Sequence, residues 1–228
     1  MGPAILIAHG NPGDHIHDRV FALAGARPSV AWIGAANGDS RTWFERAAKV
    51  FHEKYRAEVQ LARTVGDFDA AETRRIVESA QIIYLAGGDV GLLAERMRAL
   101  GLDEIVRRRH AAGVLVVGVS AGAIGLTRYW VRFPDEDDDD EDARSSAAPS
   151  LFACVGAIEL AVDCHDEESD WEELRELLGA WARHEPGARV EAYGIPSGGA
   201  LLIDGDGRVT HLGPAPKRLT LDGGRIVE

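Results

Sequence analysis

Apolar residues recur in two rhythms along this chain: short unbroken runs, and longer stretches in which they return every three or four positions. The runs at residues 4–8, 29–34, 58–61, 81–86, 114–117, 154–162 and 190–195 have the length and β-branched content of buried strands. Between them, 20–24, 40–55, 67–80, 90–110 and 170–184 carry the helical period. Ser40 is placed as an N-cap, and Asp69 and Glu72 suit the first turn of the third helix. From 198 to 228 short apolar pieces are broken by Gly and Asp, which reads as β-hairpins at a sheet edge. Strands alternating with helices predict an α/β fold, a doubly wound and mostly parallel sheet flanked by helices, in one domain spanning 1–228. The break in this rhythm is 134–150, rich in Asp, Glu, Ser, Ala and Pro, which is expected to be a flexible, solvated loop.

Composition changes this picture little, and charge changes it at one place. The chain of 228 residues is 46% apolar with a net charge of −12, but Asp135 to Asp142 supply eight acidic residues in a row. Without them 29 acidic residues face 25 basic ones, so the body of the protein is nearly balanced. No basic patch points to nucleic acid. No apolar run approaches the roughly 18 residues of a membrane span, and the first residues lack a signal-peptide pattern, so the cytoplasm is the expected compartment. Cys154 and Cys164 form neither a disulfide framework nor a zinc spacing and are expected to be buried thiols; no cofactor or metal is called for.

The candidate chemistry centres on Gly118-Val119-Ser120-Ala121-Gly122, which follows the apolar run 114–117 and leads into Ala123-Ile124. A buried strand, a sharp turn of small residues and a helix form the setting of a nucleophile elbow, which lifts a serine hydroxyl above the sheet. The bland alternative is a Gly-rich turn whose serine caps the helix. Gly87-Gly88-Asp89 also ends a strand and opens a helix. Without a following Lys-Ser/Thr it is no P-loop, and beside a serine nucleophile it reads as half of an oxyanion hole. A serine needs a base, and His165, between a strand end and a helix start, is the candidate; His9, His15 and His17 read as a polar loop, and His184 and His211 as surface.

Taken in order, Tyr84–Leu93 (Y-L-A-G-G-D-V-G-L-L), G-V-S-A-G-A from Gly118, Ile158 to His165 and Gly194-Ile195-Pro196-Ser197-Gly198 resemble the dipeptidase E (aspartyl dipeptidase) and cyanophycinase family of serine peptidases, whose fold is like class I glutamine amidotransferases. The resemblance implies Ser120 as nucleophile, His165 as base, and the backbone N–H groups of Gly88 and Ala121 as oxyanion hole. It puts Ser197 in the third triad position, where the family usually has a carboxylate. It puts Asp170 near the family's substrate-binding arginine, with Arg175 one turn on and within reach of Glu172 or Glu176, and it puts Asp89 in place of an asparagine. Asp89 and Asp170 thus stand as candidate substrate-binding residues that argue against Asp-X specificity. A carboxylate for the histidine would have to come from Asp163, Asp166 or the acidic run. The implied function is acyl-enzyme hydrolysis of a small peptide or isopeptide, with a homodimer compatible with the fold. The alternative is a catalytically weak relative that binds a peptide or metabolite. An α/β-hydrolase esterase would carry its histidine much further from the serine, and a glutamine amidotransferase would use Cys at the elbow.

Overall fold

A computed structural model describes residues 1–10, 12–133 and 148–228. The acidic run 135–142, expected as a solvated loop, lies outside the described residues. The chain begins with β1 (Ala4–Ile7), α1 (Asp14–Ala24), β2 (Ser29–Ile33), α2 (Arg41–Tyr55), β3 (Glu58–Ala62), α3 (Ala70–Ser79) and β4 (Ile82–Leu85). It continues through α4 (Val90–Ala99), α5 (Leu102–Ala111), β5 (Leu115–Val119) and α6 (Ala121–Leu126). Then follow β6 (Tyr129–Arg132), β7 (Ser150–Ala153), β8 (Ala161–Cys164), α7 (Glu172–His184), β9 (Arg189–Ile195), β10 (Ala200–Ile203), β11 (Val209–Leu212), β12 (Lys217–Asp222) and β13 (Arg225–Val227).

Seven strands form the main sheet in the order β11-β10-β1-β5-β4-β2-β3, parallel from β1 to β3 and antiparallel where β10 and β11 extend it. Alternation along each strand sends its side chains to opposite faces. Leu6, Ile83, Leu85 and Val116 pack with Val77 of α3, Leu93 and Met97 of α4 and Val106 of α5. Ile5, Ile7, Ile82, Tyr84 and Val117 pack with Val20 and Phe21 of α1 and Phe51 of α2. Both faces are therefore covered, which is why these strands read as unbroken apolar runs. This is the α/β architecture expected from the alternation.

The remaining strands depart from a single sheet. A second sheet, β13-β12-β9-β8, pairs β8 and β9 in parallel, and β6 pairs with β7 in a separate antiparallel ribbon. Of the C-terminal hairpins, β10–β11 edges the main sheet as expected, whereas β12–β13 joins the second one. The expected strand 154–162 is not one strand. Residues 154–160 are the connection between β7 and β8, and 161–162 open β8, because the amides of Val155, Gly156 and Ala157 donate to the carbonyls of Gly125, Thr127 and Leu126 at 2.8–2.9 Å. Those carbonyls at and just past the end of α6 have no partner within the helix, and the segment is held as their cap. The expected helix 90–110 breaks at Gly101, which takes φ +65 between α4 and α5. The first helix begins at Asp14 and not at Val20, so His15 and His17 are helical where a polar loop was expected. Strand β6 carries no signal that the sequence reading used. Among the described residues no helix is long and apolar enough to cross a membrane.

Candidate active site

The serine stands at the carboxyl end of β5, in the middle of the parallel sheet, where open α/β sheets gather their ligands. Ser120 adopts φ 51 and ψ −118, a strained backbone for a residue with a side chain. The turn is held on both sides. The amide of Ser120 donates to the Ile7 carbonyl at 2.8 Å, and its carbonyl accepts from Ala123 at 2.8 Å and Ile124 at 3.1 Å. Close packing dictates the glycines here: a Cβ on Gly118 would sit 2.4 Å from the Gly122 carbonyl oxygen, and one on Gly122 2.2 Å from that of Leu85. The side chain of Ser120 does not cap α6.

Its Oγ lies 2.9 Å from Nε2 of His165. The histidine follows β8 directly, takes φ 51, and its amide donates to the Ile195 carbonyl at 2.9 Å, carrying the β8–β9 pairing one residue further. Two sheets thus deliver the pair, one the serine and the other the histidine. His9, at the end of β1, presents its ring edge-on to His165 with centroids 6.4 Å apart.

Gly88 closes the third side. Its φ of +141 and the 2.2 Å separation a Cβ would have from the Ala36 carbonyl oxygen leave room for glycine alone. The 35–37 turn grips this loop: Asp89 N–H donates to the Ala36 carbonyl at 2.8 Å, and Asn37 Nδ2 donates to the Gly87 carbonyl at 2.8 Å. Asn37 was not singled out in the sequence, because its partner lies fifty residues away. Ala121 is buried as the first residue of α6, adjoining Ser120.

A cleft of about 940 Å³ joins these groups, with Ser120, His165, Ser197, Gly87 and Gly88 along one part of its wall and His17, Trp32, Trp43, Arg46, Val50, Phe51 and Tyr84 along another. His17, read from sequence as a loop residue, sits in this wall with Nε2 3.4 Å from the Tyr84 hydroxyl. Burial pulls it down to about 4, against the opposing pull of Asp14, so the ring is neutral at pH 7. Two candidates lie apart from the cleft lining. Asp89 caps α4, its Oδ1 accepting from Leu92 N–H at 2.6 Å. Asp170 sits at φ 55 after a short 3-10 turn and pairs with Arg175 at 3.4 Å. Arg175 turns to Asp170 and to Glu228, at 2.6 Å, instead of Glu172 or Glu176.

Among the described residues no carboxylate makes an ion pair with His165. Ser197 donates its N–H to Glu167 Oε1 at 3.1 Å. Burial would raise the Glu167 carboxyl, but hydrogen bonds from its own amide and from Ser197, with the charge of His165, outweigh that and hold it below the usual range. Asp163 is 2% exposed; one oxygen accepts from Cys164 N–H at 2.7 Å and the other has no hydrogen-bond partner. Burial pushes its carboxyl up to about 7, helped by the nearby Asp166 and Glu173. No group of three or more His, Cys, Asp or Glu side chains among the described residues is arranged to hold a metal ion.

Comparisons with known proteins follow the same outline. The model of peptidase family S51 matches residues 5–210. Among curated proteins, the chain is 28% identical over 100 residues to an uncharacterized peptidase, YgaJ, of Bacillus subtilis, covering 43% of this chain and 42% of that protein. It is 34% identical over 71 residues to the pyridoxal 5'-phosphate synthase subunit PdxT of Thermus thermophilus, covering 30% of this chain and 37% of that one. The chain thus spans less than half the length of these curated relatives. Among solved structures, a peptidase from an acI-B1 Actinobacterium superposes with a TM-score of 0.71 at 19% identity, covering 100% of this chain and 96% of the other. A putative peptidase E protein from Listeria monocytogenes superposes at 0.63 and 16% identity, covering 94% of this chain and all of the other. At those identities the two structures show a shared fold.

Proposed function

The chain belongs to peptidase family S51, and from that premise we propose that it is a serine hydrolase cleaving a small peptide or isopeptide through an acyl-enzyme at Ser120. The observation that carries the reading is the 2.9 Å contact between Ser120 Oγ and His165 Nε2 on a strained elbow. In this mechanism Nε2 takes the hydroxyl proton as Oγ attacks the scissile carbonyl carbon. The oxyanion forms beside the N–H groups of Gly88 and Ala121. Collapse of the tetrahedral intermediate breaks the C–N bond, and the imidazolium returns its proton to the leaving amine. Water then attacks the ester with His165 again as base, releasing the acid and restoring Ser120. Two buried free thiols, Cys154 and Cys164, suit work in the reducing cytoplasm.

The family's third carboxylate is replaced by Ser197, and Glu167 is the group that compensates. The backbone amide of Ser197 donates to it, and the charge of His165 is among the causes that hold the Glu167 carboxyl below the usual range. A negative charge there stabilises the imidazolium formed during acylation.

A second reading, a weak or inert relative that binds a peptide or metabolite, is favoured by the lack of a carboxylate paired with His165 among the described residues. One experiment separates the two. Intact-mass labelling with a fluorophosphonate should give one adduct on the wild type, none on Ser120→Ala, and labelling slowed by about 10²–10⁴-fold on His165→Ala. A wild type that stays unlabelled at high probe concentration sinks the hydrolase and leaves the binding protein.

A further inference from the structure

One stripe of α2 forms part of the wall of the cleft that holds the serine. Trp43, Arg46, Ala47 and Val50 lie at the i, i+3, i+4 and i+7 positions of α2, one stripe of the helix. Of the large apolar side chains left exposed among the described residues, Trp43 (52%) and Val50 (43%) are the two that line this cleft. Below them Trp32 stacks on Tyr84 with centroids 4.7 Å apart, and Phe51 lies 5.6 Å from Tyr84, giving an aromatic floor. Arg46 is the one Lys or Arg side chain among the described residues lining the cleft, and among the described residues it makes no ion pair or hydrogen bond. Of the acidic groups on the rim, Asp14 is already engaged by Lys54 at 3.3 Å, and Glu168 belongs to the 3-10 turn that follows His165.

We infer that this wall selects a short peptide carrying a large apolar or aromatic side chain, laid on Trp43 and Val50, and a free carboxylate, taken by Arg46. The inference rests on the hydrolase reading and adds a substrate class to it. The same cavity holds Ser120 and His165, so a peptide on the wall shares one cleft with the nucleophile. A cleft of about 940 Å³ lies at the upper end of small-ligand sites, with room for several residues. Apolar contact supplies affinity, and a guanidinium fork supplies orientation because it grips a carboxylate through two parallel hydrogen bonds.

Binding to the Ser120→Ala protein tests the wall without requiring turnover. Ala-Phe, its C-terminal amide, Ala-Ala and Asp-Ala are titrated by calorimetry. Ala-Phe should bind about tenfold more tightly than its amide and about tenfold more tightly than Ala-Ala, with Asp-Ala no tighter than Ala-Ala. Arg46→Gln, added to that protein, should abolish the difference between acid and amide, and Arg46→Glu should reverse it. Trp43→Ala should abolish the difference between Phe and Ala. Equal binding of acid and amide, tightest binding of Asp-Ala, or preferences unchanged in the Arg46 and Trp43 variants would overturn the inference. Each wall variant is also melted beside the Ser120→Ala protein, and an unchanged melting temperature shows that the fold survives. Labelling of the wild type with the wrong binding order defeats this inference alone. Absence of labelling defeats the hydrolase reading, whatever the binding order.

Discussion

Single residues around His165 carry the most specific consequences. If Glu167 supplies the charge missing at position 197, Glu167→Gln should lower kcat about tenfold on any substrate turned over, with KM and melting temperature unchanged. Adding Ser197→Glu should recover most of the loss, because it returns a carboxylate to the family's position. Steady-state kinetics on the two variants decide this, and an unchanged kcat in Glu167→Gln would remove the residue from the mechanism. Asp163 makes a separate claim about stability. Its folded carboxyl titrates near 7, well above an unfolded aspartate, with burial as the main cause and Asp166 and Glu173 as neighbours. Between about pH 4 and 7 the folded state holds a proton that the unfolded chain has released. Stability contributed by this group is therefore present at low pH and lost as pH rises towards 7, at up to about 1.4 kcal/mol per pH unit. Asp163→Asn keeps an acceptor for Cys164 N–H and never ionises. It should melt above the wild type at pH 8, with the gap narrowing towards pH 5; parallel thermal melts at the two values would refute the assignment.

Elements explain why the elbow tolerates only its own residues. The β5–α6 junction brings Gly122 against the Leu85 carbonyl on neighbouring β4, where a methyl group has no space. Gly122→Ala should cost about 1–3 kcal/mol of stability through overpacking and also displace the serine. Gly179 inside α7 is the counterpart: a Cβ there meets nothing closer than a flexible Arg183 nitrogen at 3.6 Å. Gly179→Ala should therefore stabilise by roughly 0.5–1 kcal/mol through helix propensity alone. Urea unfolding of both variants should give opposite signs, and equal signs would refute the packing account. At the same scale the sequence was legible in part. The runs around Ile5, Ile83 and Val116 announced strands because both their faces are buried. The segment 154–158 was misread as strand because it is apolar too, although its amides serve the end of α6. Burial of a residue is written in its hydrophobicity, whereas the partner of its amide is not.

At the scale of the whole molecule, the candidate site exists because two sheets meet. The main sheet presents Ser120 at the end of β5, and the second sheet presents His165 at the end of β8. One apolar cluster runs between them, from Val116 and Ala121 to Val162, Leu177 and Leu219. The sequence by itself determined the alternation of strands and helices, the tight turn around Ser120, the Gly87-Gly88 turn and the place of His165 at a strand end. Each of these is a local pattern that depends on residue size, periodicity or a strand end. Tertiary structure alone decided the division into two sheets, the half-burial of His17 in the cleft wall, the clamp by Asn37, the hold of Ser197 on Glu167 and the placing of the α2 stripe in the same cleft as the serine. Each of those joins residues distant along the chain or sets the facing of a surface. Contacts between distant residues depend on how the elements pack, and no local pattern of polarity records that.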